Sequence, residues 1–401
     1  MADSALSIRS RLYLPGWMSF FILAHFFHHL LGTILPPLLP MIRSEFSLGY
    51  TQAGLVISAF SVSYGISQLP GGWLGDRLGP RVTMALTICG MALAGFFVGL
   101  SHSFAAIIPL FILMGLMGGG YHPAAPPLIA ALVGQENRGR GMGFHMLGGN
   151  ASHFLGPLIA LAIATSWGWR ASFIGLAVPA MIFGFILYSL LGRVAPVPAP
   201  KAKDTPRPVS SWAPGQLRRL IAFICLANFS GGIIVAVASF VPLFLIDQFG
   251  ASKGTAGVLY SLIFAVGFVV SPLGGYLSDR LGPVPMLLGT CLLAGPILYL
   301  LNLAPYIGGT TIVLLLIGVT LNLRNPASES FIVGQATEGN RSLVLGFYYF
   351  GNIEGGGILT PALGYLIDHF GFAAGFSAAG AALLAATLAC YPLLRERSGG
   401  K

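Results

Sequence analysis

What this chain lacks most is charge: only 8% of its 401 residues are Asp, Glu, Lys or Arg, where a soluble domain carries about 25%. Acidic side chains number 12 and cysteines 4. Set against 55% hydrophobic residues, that scarcity excludes an ordinary water-soluble globule and points to a chain solvated by lipid. Cys89, Cys225, Cys291 and Cys390 lie inside apolar stretches without CxxC spacing, which excludes a disulfide framework and a thiolate metal site. No HExxH and no nucleophile-base pairing stands out, so neither an enzyme nor a cofactor is expected. The net charge of +9 is scattered over connecting segments rather than gathered on one face, which argues against a nucleic-acid partner.

What is there is apolar sequence in long runs. A helix needs about 20 apolar residues to cross roughly 30 Å of hydrocarbon. Twelve runs qualify, starting near residues 15, 52, 82, 104, 141, 169, 218, 253, 284, 308, 341 and 371. The first is interrupted by His25, His28 and His29 and is followed by no small-residue cleavage pattern, so it reads as a helix rather than a leader. Seventeen of the 21 Lys and Arg fall at the termini or in the even-to-odd loops, which predicts that both termini are cytoplasmic. The exceptions are Arg43, Arg170, Lys253 and Arg324, of which only Arg324 lies well inside an apolar run. A Pro, Lys and Arg-rich segment, residues 193–217, reads as a cytoplasmic linker between a bundle of six helices in residues 1–192 and another in 218–401. The expected fold is therefore an all-α membrane protein of twelve transmembrane helices in two pseudo-symmetric bundles.

The two halves are copies. GGWLGDRLGP at Gly71 to Pro80 returns as GGYLSDRLGP at Gly274 to Pro283, 203 positions later. The same register pairs Ala53-Gly54 with Ala256-Gly257, Pro123 with Pro326, Asn137-Arg138 with Asn340-Arg341, and Gly143-Phe144 with Gly346-Phe347. Half-length repeats in apolar chains are characteristic of transporters. Glycines spaced so that they gather on one helix side, as in Gly115, Gly118, Gly119 and Gly120 or Gly141, Gly143, Gly148 and Gly149, predict close helix approach, and prolines such as Pro123, Pro157, Pro326 and Pro361 predict bent helices.

The GGWLGDRLGPR stretch, its second copy, the twelve runs and the central linker together resemble the major facilitator superfamily over essentially the whole chain. Val284 stands where Arg81 ends the first copy, a departure from the loop pattern. YHPAA at Tyr121 to Ala125 and GFHMLGGNASHFLGPL at Gly143 to Leu158 resemble the fosmidomycin-resistance-like bacterial efflux branch. Ser152 to Ala160 also resembles in part an exporter antiporter signature, with Ser152 and Ala160 where that pattern favours Gly. The resemblance implies a bacterial inner-membrane transporter, working as a monomer, with gate residues Asp76, Arg77, Arg81, Asp279 and Arg280 at the cytoplasmic ends of its second and eighth membrane helices. Physically, Asp near a helix N-terminus and Arg near carbonyl ends can lock a conformation through salt bridges and helix dipoles.

Polar residues inside the runs point to the solute path, since burial in lipid is unfavourable without a cavity or partner. The first half offers His25, His28, His29, Tyr121, His122, His145, Asn150 and His153; the second offers Asn228, Arg324, Asn325, Glu329, Tyr348, Asn352 and Glu354. His25 and His29, four apart, share a helix face. With an ordinary pKa of about 6.5, imidazoles switch readily with a proton gradient, so His28 and His29 are candidates for proton coupling, alongside Glu329 and Glu354. Arg324 keeps its charge in practically any environment and needs an anion. Glu354 is the better internal candidate because Glu329, five residues on, points away from Arg324. The remaining residues named are candidates for solute binding, with His25 and His29 among them. The sequence thus reads as a proton-coupled secondary transporter exporting a small organic compound by alternating access. Uptake of an organic anion on Arg324, transport of a metal or its chelate by the histidines, and a non-transporting receptor or scaffold remain alternatives.

Overall fold

The computed structural model describes residues 2–133, 138–193, 214–335 and 341–395. Every regular element among them is a helix: α1 (Ala2–Thr33), α2 (Leu35–Phe46), α3 (Tyr50–Ile66), α4 (Gln68–Leu100), α5 (Phe104–Gly118), α6 (Tyr121–Val133), α7 (Arg138–Trp167), α8 (Trp169–Leu191), α9 (Pro214–Phe249), α10 (Lys253–Ala265), α11 (Gly267–Leu281), α12 (Pro283–Leu300), α13 (Ile307–Gln335) and α14 (Arg341–Leu394). Ten described stretches are long and apolar enough to cross a bilayer. Their outward faces carry large exposed apolar side chains, among them Phe185, Ile182, Leu293 and Ile312. In water such surfaces would drive aggregation, whereas in hydrocarbon they are the solvated side.

The breaks between helices follow from backbone chemistry. Pro36 and Pro37 follow the interruption between α1 and α2, and Gly119-Gly120 separates α5 from α6 just before Pro123. Each proline removes an amide donor and disfavours helix in the residue before it. The duplicated loop turns on the same residue in both copies: Gly79 at φ 78° and ψ 159°, Gly282 at φ 89° and ψ 148°. A second duplicated turn lies at the same offset, Gly168 at φ 82° and Gly371 at φ 79°, each flanked by aromatic residues. This region of backbone space is open to glycine almost alone, and another residue there costs about 1–3 kcal/mol. Gly79→Ala and Gly282→Ala are each expected to lower the unfolding temperature by comparable amounts, read by intrinsic fluorescence in detergent. Neither position has atoms crowding the new methyl closer than 3.6 Å, so the loss reports backbone strain alone.

Contacts divide the chain into two compact units. Unit 1 is Met1–Leu35 with Ile66–Ala202, and unit 2 is Pro36–Gly65 with Lys203–Lys401. The expected linker, residues 193–217, lies largely outside the described residues, and α2 and α3 group with the second unit. In unit 1, α1 packs on α7 and α4 on α8. Phe21, Met84, Ile88, Tyr121, Ile129 and Leu187 belong to a buried cluster there. In unit 2, α9 packs along α14, with Phe244 meeting Phe372 and Phe376 at ring separations of 5.3 and 5.1 Å.

Small residues set the α1–α7 distance. A Cβ at Gly148 would overlap the Ile22 carbonyl oxygen, one at Gly149 would lie 2.7 Å from the His25 ring, and one at Gly156 would lie 2.6 Å from the Thr33 hydroxyl. Backbone therefore meets backbone along this seam, the small-residue packing that transmembrane helices use in place of a hydrophobic driving force. The Thr33 hydroxyl donates to the Ser152 carbonyl at 3.3 Å across the same seam.

Candidate functional site

Unit 1 gathers every histidine that the sequence placed in its spans. His25, on α1, stacks on His145 of α7 at 4.1 Å between ring centroids and meets His122 of α6 edge-on at 5.4 Å. His28 stacks on Tyr121 at 4.3 Å, and His29 lies 5.1 Å from His122 and 5.2 Å from His153. His25 and His29 approach nitrogen to nitrogen, Nε2 to Nε2, at 3.1 Å. This follows from four-residue spacing on α1, while Gly149 makes room for His25 against α7. Three rings are oriented by backbone: the Nδ1 atoms of His25, His145 and His153 lie 2.9, 3.3 and 2.9 Å from the carbonyl oxygens of His145, Phe21 and Gly149. A carbonyl only accepts, so each Nδ1 carries the hydrogen and donates it. Asn150 is half-buried on the same helix, α7.

Unit 2 builds a different centre. Arg324, on α13, is the largest fully buried side chain among the described residues. Its Nη1 donates to the carbonyl oxygen of Ala227 on α9 and to the Ser230 hydroxyl at 3.2 Å, and its Nη2 donates to the Asn325 side-chain oxygen at 2.8 Å. Tyr348 is fully buried beside Arg324, Glu329 and Ser328. Asn228 reaches the α14 backbone at Gly351, where any side chain would displace it. The side chains of Asn352 and Glu354 lie outside the described residues, as does that of Asp76.

The duplicated loops repeat their contacts as well as their letters. Arg77 lies over the Trp73 ring at 4.2 Å, and Arg280 over Tyr276 at 4.6 Å, the same four-residue cation–π pair in both copies. Arg81 has its own partner: it lies over the Tyr188 ring at 3.9 Å and donates from Nε to the Tyr188 carbonyl at 2.8 Å. A guanidinium there offsets the negative end of α8, and Gly192 leaves it the space. Val284, the counterpart of Arg81, is buried instead, and Asp279 is exposed.

A further polar network in unit 2 was not anticipated. Arg43 pairs with Asp247 at 2.7 Å and lies over the Tyr50 ring at 4.1 Å, while the Tyr50 hydroxyl donates to Asp247 at 2.6 Å. Asp368 of α14 accepts from the Tyr50 and Thr51 amides, both at 2.7 Å, and from the Thr51 hydroxyl at 2.5 Å. A carboxylate from another helix thus caps α3 and meets its positive end. The available signal was the scarcity of acids: with only 12 in the chain, two at helix ends called for an explanation. Asp368→Ala is expected to cost about 1–2 kcal/mol, as the loss of a strong N-cap does. Arg43→Ala breaks a pair 27% exposed on each side, and is expected to cost under about 1 kcal/mol. Thermal unfolding of the two variants in detergent checks the order.

Membrane-length helices packed around buried polar centres define an integral membrane protein. The sequence model of the Major Facilitator Superfamily matches residues 21–322 and 224–401, and the chain belongs to that family. It is 27% identical to the hexuronate transporter of Bacillus subtilis, covering 95% of this chain and 94% of the relative. It is 23% identical to the fosmidomycin resistance protein of Escherichia coli, over 86% and 85% of the two chains. Its fold matches a crystal structure of a bacterial homologue of the human lysosomal transporter Spinster in an inward-facing, occupied conformation, with a TM-score of 0.79 over 95% and 96% of the chains at 16% identity. Family membership and a relative named as a transporter agree with the expectation that the chain is not an enzyme.

Proposed function

We propose that this transporter moves a small organic anion across a bacterial inner membrane by alternating access, coupled to protons, with Arg324 as the fixed charge that holds the solute. The observation that carries the reading is a permanently charged guanidinium in the core of unit 2, oriented by Ala227, Ser230 and Asn325. These oxygens aim the fork, so an anion arriving there meets both a charge and a fixed geometry. Asn325, Tyr348 and Asn228 supply neighbouring polar groups on three helices. Glu329, half-buried beside Tyr348, is the described carboxylate placed to exchange a proton near the site.

Export in exchange for protons is the direction we favour, on the helix motifs at Tyr121 to Ala125 and Gly143 to Leu158 and on the likeness to the fosmidomycin resistance protein. Likeness to a hexuronate transporter supports the second reading, uptake with protons. Proteoliposomes loaded in turn with a panel of sugar acids and small carboxylates, and containing a pH dye, separate them. Outward solute flow by antiport acidifies the lumen, and by symport makes it alkaline. A panel that includes hexuronates and yields neither solute flow nor a pH change overturns the proposal.

A further inference from the structure

We infer that His25, His29 and His122 form a binding site for a first-row divalent cation, zinc or nickel, within unit 1. One ring nitrogen from each of the three lies within 4.8 Å of the others. A tetrahedral zinc site with bonds of about 2.0–2.1 Å places its ligand nitrogens roughly 3.3 Å apart. The Nε2 atoms of His25 and His29 already stand at 3.1 Å, and rotation of the His122 ring closes the third side.

The tautomers agree with this. Because Nδ1 of His25 donates to the His145 carbonyl at 2.9 Å, a neutral His25 directs its Nε2 lone pair at His29 and the shared space. A ligating imidazole whose other nitrogen is tied to a backbone carbonyl is the usual outer-shell arrangement of a metal site. His145 and His153 are tied in the same way, through Phe21 and Gly149. His153, with its ring 5.2 Å from that of His29, stands as a fourth nitrogen donor nearby. The hydrogen between the two Nε2 atoms belongs to His29; in the occupied site it moves to His29 Nδ1, and the cation takes the lone pair this frees on Nε2. Imidazole ligands without carboxylate or thiolate suit zinc, nickel and copper rather than magnesium or calcium. Since His25 and His29 stand on α1 and His122 on α6, an occupied site ties these helices together. The inference is independent of the role of Arg324.

Calorimetry of untagged protein in detergent with zinc chloride and nickel chloride is the test. One cation per chain is expected, with affinity falling at least tenfold in His29→Gln and in His122→Gln. His102→Gln and His369→Gln, at exposed histidines, should bind as the unaltered protein does. Should the cluster variants fail to fold, zinc-edge X-ray absorption on the unaltered protein decides: three or four nitrogen neighbours at about 2.0–2.1 Å support the site. No saturable binding, an oxygen-dominated shell, or affinity that survives the cluster substitutions and falls with His102 or His369 overturns it.

Discussion

Arg324→Gln is expected to lower transport of the cognate anion about 100-fold while leaving the protein folded. Losing a desolvated charge from a charged hydrogen-bonded contact costs about 2–5 kcal/mol, and about 2.8 kcal/mol is two decades of affinity. Glutamine keeps a hydrogen-bonding amide on a shorter stem at the same position of α13. Taking a guanidinium out of water is itself unfavourable, a cost that the neutral glutamine does not carry. The unfolding temperature is therefore expected to hold or rise as transport falls. Arg324→Lys keeps the charge and loses the fork, and should recover only part of the activity. A residue needed only for folding would show the opposite pattern, with temperature and transport falling together. Radiolabelled solute counterflow and a thermal melt on the same preparations read both quantities.

The second large effect is expected at Gly148, on the α1–α7 seam. Gly148→Ala places a methyl against the Ile22 carbonyl oxygen and 2.8 Å from its carbonyl carbon, and neither backbone can yield without moving a helix. Overpacking of this kind costs about 1–3 kcal/mol, and separating α1 from α7 also pulls His25 from the carbonyl that orients it, 2.9 Å away. Both the unfolding temperature and zinc affinity should fall. Gly289→Ala in α12 is the control: its methyl meets nothing within 4 Å, and alanine gains about 1 kcal/mol over glycine in a helix interior. That variant should be unchanged or more stable.

How much of this was legible follows from what sequence letters carry. The repeat marked the turn at Gly79 and Gly282 because its flanks are nearly identical, and the structure turns there in both copies. Gly168 and Gly371 share the same offset but sit between Trp167 and Trp169 in one copy and Phe370 and Phe372 in the other. Aromatic flanks conserve shape rather than letters, so the second turn went unseen. At the candidate site, helix periodicity paired His25 with His29, because both stand on one helix. The convergence of His122, His145 and His153 on them needs the packing of α6 and α7, which glycines at 148 and 149 permit but do not announce. The partners of Arg324 were illegible in part because one is the Ala227 carbonyl, a group every residue possesses. The Asp368 cap was hidden for the same reason, since it holds backbone amides more than 300 positions away.

The central claim is that this transporter recognises its solute as an anion through Arg324. The most direct measurement is calorimetric binding of the organic acid that gives counterflow, beside its uncharged amide, to the unaltered protein and to Arg324→Gln. The account predicts binding of the acid alone, weakened about 100-fold by the substitution, with the amide weak in both proteins. Equal binding of acid and amide, or an affinity for the acid untouched by Arg324→Gln, would contradict it.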